Sequence, residues 1–125
     1  MEKSEIPFLT AAELGQLIAD GEVSPIEATE AYLERIQQID PKLNSYITVT
    51  ADLAMVQAKQ AESAIAKGER RGPLHGVPLA IKDQFWTKGI RTTAGSSLLA
   101  DFIPNEDATV VTRLSQAGAV ILGKT

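Results

Sequence analysis

Two periodicities divide the chain. Up to about residue 67 the apolar positions suit helices, and beyond it they suit strands. Thr10-Ala11-Ala12-Glu13 reads as a capping box, with Leu9 and Leu14 placed for the flanking hydrophobic staple, so a helix is predicted from Thr10 to near Gly21. Ser24-Pro25-Ile26-Glu27 repeats the signal, with Ser24 as cap and proline at the first helical position. This second helix carries Tyr32, Leu33, Ile36 and Ile39 at helical spacing and is expected to end before Pro41. Tyr46 to Thr50 is a short β-rich run. An alanine-rich helix is predicted from about Ala51 to Lys67, closed by Gly68.

Residues 68–76 form a Gly/Pro/Arg-rich connection, the one plausible internal boundary. Val77 to Lys82 follows as a strand. Lys88 to Asn105 looks irregular. Asp107 is expected to cap a helix bearing Val110, Val111, Leu114 and Ala117, which Gly118 closes. Ala119-Val120-Ile121-Leu122 is a wholly apolar strand. Strand, helix and buried strand in that order describe a parallel crossover, so the expected class is α/β. The chain divides into an N-terminal helical region with one short strand, residues 1–67, and the first strands of a mixed core, residues 68–125. A buried parallel strand wants neighbours on both sides. The expectation is therefore a truncated core, the front part of a larger domain and poorly stable alone.

Composition narrows the chemistry. The sequence has no cysteine and a single histidine, His75, which removes disulfides, thiolate catalysis and Cys- or His-rich metal sites. No cofactor or metal is expected. A net charge of -4 gives no phosphate-tracking surface, so direct nucleic-acid binding is not expected. Residues 1–65 hold eleven acidic against four basic side chains, and residues 66–125 hold five against eight. The acidic helices read as solvated faces. There is no signal-peptide pattern and no apolar run near the ~20 residues of a membrane span, so a cytoplasmic protein is the default.

The informative stretch is Gly76-Val77-Pro78-Leu79-Ala80-Ile81-Lys82-Asp83. Alternation puts Val77, Leu79 and Ile81 on one face and Pro78, Ala80 and Lys82 on the other. A lysine at an apolar strand end either reaches water or pairs with Asp83, or has its pKa lowered enough to act as a base. Thr92-Thr93-Ala94-Gly95-Ser96-Ser97 is a small hydroxyl-rich loop able to present N–H groups or hydroxyls to a substrate. Ser96 or Ser97 as a nucleophile paired with Lys82 is disfavoured against a plain turn capping Leu98-Leu99-Ala100, because nothing here resembles a strained elbow. Gly118-x4-Gly123-Lys124-Thr125 fits a phosphate-loop pattern, but its four central residues are bulky and β-prone, the wrong context for a phosphate cradle. His75 reads as a structural turn residue, and Phe85 and Trp86 as core or pocket wall.

The stretch from Gly76 to Asp83, then Thr92-Thr93-Ala94-Gly95-Ser96, then Asp107-Ala108-Thr109-Val110-Val111 with Leu114, then Ala117 to Thr125, resembles the amidase signature family in order and spacing. The early helices with Ser24-Pro25 resemble it too. The resemblance implies hydrolysis of a carboxamide to a carboxylate and ammonia or amine by a Ser–cis-Ser–Lys triad. It implies Lys82 as the catalytic lysine and a mixed α/β/α core. Thr93, Gly95 and Ser96 are the candidate substrate-binding residues. The family's bridging serine, nucleophile and oxyanion loop lie C-terminal to the Gly-Lys-Thr motif, so the chain by itself is expected to be inactive. Within the family the expected substrate is a small-molecule amide. The loop at 92–96 and Asp83-Gln84-Phe85-Trp86 look more like the amidases than like the glutaminase subunit of a tRNA-dependent amidotransferase, which is the alternative. A reading of another class is a non-catalytic binding or assembly module that pairs with a complementary C-terminal fragment or with itself.

Overall fold

The computed structural model describes residues 1–125. A short 3-10 helix, Lys3–Phe8, leads into α1 (Ala11–Ala19) and α2 (Pro25–Leu43). Both α-helices start as the sequence dictates. Thr10 Oγ1 accepts from Glu13 N, and Ser24 Oγ accepts from Glu27 N, each with the reciprocal carboxylate bond of a capping box. The expected stop before Pro41 is corrected: α2 runs through Pro41 to Leu43 and ends at Asn44 in the left-handed region. A proline in the last turn removes only one internal N–H bond. The Asp40 carboxylate then accepts from Ser45 N at 2.8 Å, closing the helix end.

The strand predicted over Tyr46–Thr50 is shorter than expected, β1 being Thr48–Val49. Next come α3 (Ala51–Ala66), β2 (Pro78–Ile81), a 3-10 turn (Ser97–Leu99), α4 (Thr109–Gln116) and β3 (Val120–Lys124). Asp107 does not cap α4. Ala108 occupies the cap position, and Asp107 Oδ1 instead accepts from Lys88 N at 2.6 Å, tying the irregular segment to the helix start.

The sheet order is β1-β3-β2, with β3 antiparallel to β1 and parallel to β2. The crossover is therefore present, with α4 inside it. All of β3 is buried because both of its faces are covered. Val120 and Leu122 pack with Ala54 and Ala58 of α3, while Ile121 packs with Ile81 and Val111 of α4. A third cluster, Ile6, Leu14, Ile18, Val23, Ala28, Ala31 and Val77, seats the N-terminal helices against the entry to β2. The turn before β3 is tight: Gly118 has φ +82, and a Cβ there would lie 2.2 Å from the His75 ring.

The β2–β3 register carries a bulge. Leu79 pairs with Ile121 but Ala80 pairs with Gly123, so Leu122 is an extra residue on β3. The bulge reverses the alternation of β3 beyond it. Lys124, the register partner of Ile81, therefore leaves the sheet on the same side as Ile81.

Candidate active site

Lys82 follows directly on the last residue of β2, and its backbone is bracketed by the end of β3. Thr125 N donates to Ile81 O at 3.0 Å, and Asp83 N donates to Thr125 O at 2.7 Å. These ladder bonds continue the strand alternation, so Lys82 leaves on the face of Ala80 and opposite to Ile81. Ala80 and Lys82 are both exposed, and the Lys82 ammonium makes no hydrogen bond or ion pair with another side chain. The choice left open by the sequence is thus decided for this chain in one respect. Lys82 neither lies in an apolar environment nor pairs with Asp83, and it stands free on an open face.

Asp83 turns the other way, into the protein. Its Oδ2 accepts from both the backbone N–H (3.0 Å) and the hydroxyl of Thr93, and its backbone carbonyl accepts from Ala94 N at 3.0 Å. The residue after Lys82 is thereby stitched to the loop at 92–96. Inside that loop, Thr93 Oγ1 accepts from Gly95 N at 3.2 Å. Ala94 (φ 50) and Gly95 (φ 69) form a left-handed turn. Ser96 Oγ accepts from Leu98 N at 3.3 Å, the cap expected of a plain turn. Thr93, Gly95 and Ser96 are therefore brought together beside Asp83. Thr93 is buried, Gly95 is exposed and Ser96 is half-buried.

The buried lysine is Lys124, which the sequence marks only as part of a phosphate-loop pattern. Its Nζ has no exposure and is bonded to Phe85 O (2.7 Å), Thr87 Oγ1 (2.8 Å) and Thr92 Oγ1 (2.9 Å). A proton count fixes its charge. The Thr87 hydroxyl donates to Phe85 O and the Thr92 hydroxyl donates to Ile90 O, so each hydroxyl can only accept from Nζ. All three partners demand a donated proton, and only an ammonium has three. Burial pushes the Lys124 pKa below the ordinary lysine range, and the carboxylates of Asp83 and Asp107 oppose this. Asp83 Oδ1, itself without a hydrogen-bond partner, lies 4.0 Å from Nζ. Gly-Lys-Thr is thus a strand end with an enclosed cation and not a phosphate cradle.

One further expectation changes in part. Of core or pocket wall, Phe85 and Trp86 are not core, being exposed because after Asp83 the chain turns its carbonyl groups inward. Phe85 O meets Lys124, Trp86 O accepts from Ala108 N at 2.8 Å, and the Trp86 ring packs edge-on against Phe102 at 5.3 Å. His75 is buried at the turn before β2 and accepts from Arg71 N at its Nδ1, 3.0 Å away. Burial, reinforced by Arg71 and Arg70, holds its pKa below the ordinary histidine value. No three acidic or histidine side chains are grouped as a metal site would require, and no helix is long and apolar enough to cross a membrane.

Known proteins resemble this chain in sequence and fold. The family model described as Amidase matches residues 27–125. A glutamyl-tRNA(Gln) amidotransferase subunit from Moorella thermoacetica is 49% identical over 120 residues, which are 96% of this chain and 25% of the relative. The structure of native peptide amidase from Stenotrophomonas maltophilia superposes with a TM-score of 0.88 at 39% identity, over 96% of this chain and 25% of that one. A structure of fatty acid amide hydrolase superposes at 0.92 with 30% identity, over 99% of this chain and 22% of that one. The chain thus spans about a quarter of the length of the relatives it matches. On the match over residues 27–125, together with this α/β fold, the chain belongs to the amidase signature family.

Proposed function

We propose that this chain is the part of a carboxamide-cleaving enzyme that supplies the lysine base, Lys82. The observation that carries the reading is Lys82 itself. It is the one lysine at this strand end left free, on an open face, with a backbone pinned by Thr125 on one side and by the Asp83–Thr93 link on the other. A base must be unpaired and held in place, and Lys124, with all its protons committed, cannot serve. In this reading neutral Lys82 accepts a proton from a bridging serine, which in turn takes the proton of a nucleophilic serine as that oxygen attacks the amide carbonyl. As the tetrahedral intermediate collapses, that proton returns from Lys82 through the bridging serine to the nitrogen, which leaves as ammonia or amine, and water then releases the carboxylate. Both serines come from outside this chain. The loop of Thr93, Gly95 and Ser96 borders the substrate, with Thr93 holding the loop to Asp83 and Ser96 offering its hydroxyl proton.

A glutaminase subunit of a tRNA-dependent amidotransferase is the second reading. The specific observation favouring it is the 49% identity to the Moorella thermoacetica amidotransferase protein, against 39% to the peptide amidase. Ammonia release by the full-length gene product, on glutamine and on a panel of small and aryl amides, tests both. An amidase turns over amides unaided, whereas a glutaminase subunit is confined to glutamine and accelerated by its partner. A folded full-length product that cleaves no amide, with or without amidotransferase partners, overturns the proposal. The 125-residue chain alone is expected to release no ammonia.

A further inference from the structure

Three contacts converge on Lys124, and each comes from a segment that borders Lys82. Phe85 and Thr87 belong to the turn that follows Lys82, and Thr92 begins the hydroxyl-rich loop. Lys124 also stands beside Asp83, the residue that stitches this loop to the strand end. Its own backbone is the ladder partner of Ile81, the residue before Lys82. The same side chain therefore ties β3, the 83–87 turn and the 90–93 segment into one unit, and it does so from the face opposite to Lys82.

We infer that Lys124 is a positioning residue: its buried ammonium fixes the strand end that presents Lys82 and the loop of Thr93, Gly95 and Ser96, without touching substrate. A neutral side chain at this position leaves the Thr87 and Thr92 hydroxyls and the Phe85 carbonyl without their shared donor, and it leaves Asp83 uncompensated. A strand end and loop held less firmly misplace the base relative to the reacting atoms, which slows turnover more than it weakens substrate binding. Asp83 and Asp107 are the charged groups that bear on Lys124.

The inference rests on the reading of Lys82 as base, and the experiment separates the two. Lys124→Met and Lys82→Ala are compared in the full-length gene product, with kcat and KM measured separately on the amide it cleaves best. The expected result for Lys124→Met is a kcat lower by about tenfold or more with a KM within about threefold. A folded variant whose rate is unchanged, or whose loss falls on KM alone, overturns the positioning role. Should Lys124→Met fail to fold, Thr92→Val, which removes one acceptor of the ammonium, decides by the same readouts with a smaller effect in the same direction. An inactive Lys82→Ala beside an unaffected Lys124 or Thr92 variant discards only this inference. An active, folded Lys82→Ala discards the reading beneath it.

Discussion

Lys124 Nζ stands 4.0 Å from Asp83 Oδ1, and both side chains are withdrawn from water. The pair is held less by mutual attraction than by the neutral groups around it. Two threonine hydroxyls and a carbonyl solvate the cation, and Thr93 solvates the anion. Such an arrangement tolerates loss of one member poorly, because the other remains charged in a dry site.

Replacing Asp83 tests that statement. Asp83→Ala strands Lys124 and frees Thr93, and a loss of about 3–5 kcal/mol is expected. Asp83→Asn keeps an acceptor for Thr93 and costs less. Urea denaturation of the two variants, compared with the parent, checks both the size and the order. Equal stabilities for parent and Asp83→Ala would show that the pair is not buried as described.

The turn before β3 makes a steric prediction. A methyl group at Gly118 meets the His75 ring at 2.2 Å while the backbone holds φ +82. Gly118→Ala therefore combines overpacking with backbone strain and is expected to destabilise by about 2–4 kcal/mol. Gly21, also at positive φ but with open space around it, should cost less on the same change. Thermal melts of the two variants give the comparison.

His75 gives a pH dependence with a definite sign. Its folded pKa is lowered, so the unfolded chain binds the proton more readily. The stabilisation is fully present above the unfolded value of about 6.5 and is lost as pH falls from there through the folded pKa. The melting temperature should fall between about pH 7 and pH 5, and His75→Gln should flatten that slope. An identical slope in the variant assigns the effect to other groups.

Helix capping is the mildest test. Ser24→Ala removes the acceptor for Glu27 N at the start of α2 and should cost about 1 kcal/mol, read as a shift in urea midpoint without change in slope.

The local devices were legible in the sequence because they are written in neighbouring residues. Both capping boxes, the strand ending at Lys82, the apolar strand at Ala119–Leu122 and the crossover between them all follow from short patterns. Pro41 and Asp107 misled for different reasons. A proline in the last turn costs α2 little and the neighbouring Asp40 carboxylate closes the helix beyond it, whereas Asp107 is drawn away by the Lys88 N–H, nineteen residues upstream. The role of Lys124 was hidden more deeply. Strict alternation along β3 sets it on the face of Val120 and Leu122, and only the bulge at Leu122 returns it to the side of Ile81, Asp83 and the threonines. Gly123 is the one local signal for it, since a glycine inside a strand marks a bulge or a close backbone approach, and a Cβ there would lie 2.2 Å from Thr48 O. Two threonines, Thr87 and Thr92, far upstream in the chain complete the site, and nothing in their own surroundings marks them as lysine ligands.

The central claim is that Lys82 is the base, and removal of its side chain from the full-length gene product tests it most directly. Within this chain Lys82 is exposed and makes no side-chain hydrogen bond or ion pair, so Lys82→Ala should leave the circular dichroism spectrum unchanged. Ammonia release from the best amide substrate should nonetheless fall by about a thousandfold or more. A folded Lys82→Ala variant that retains a rate within about tenfold of the parent would contradict the account.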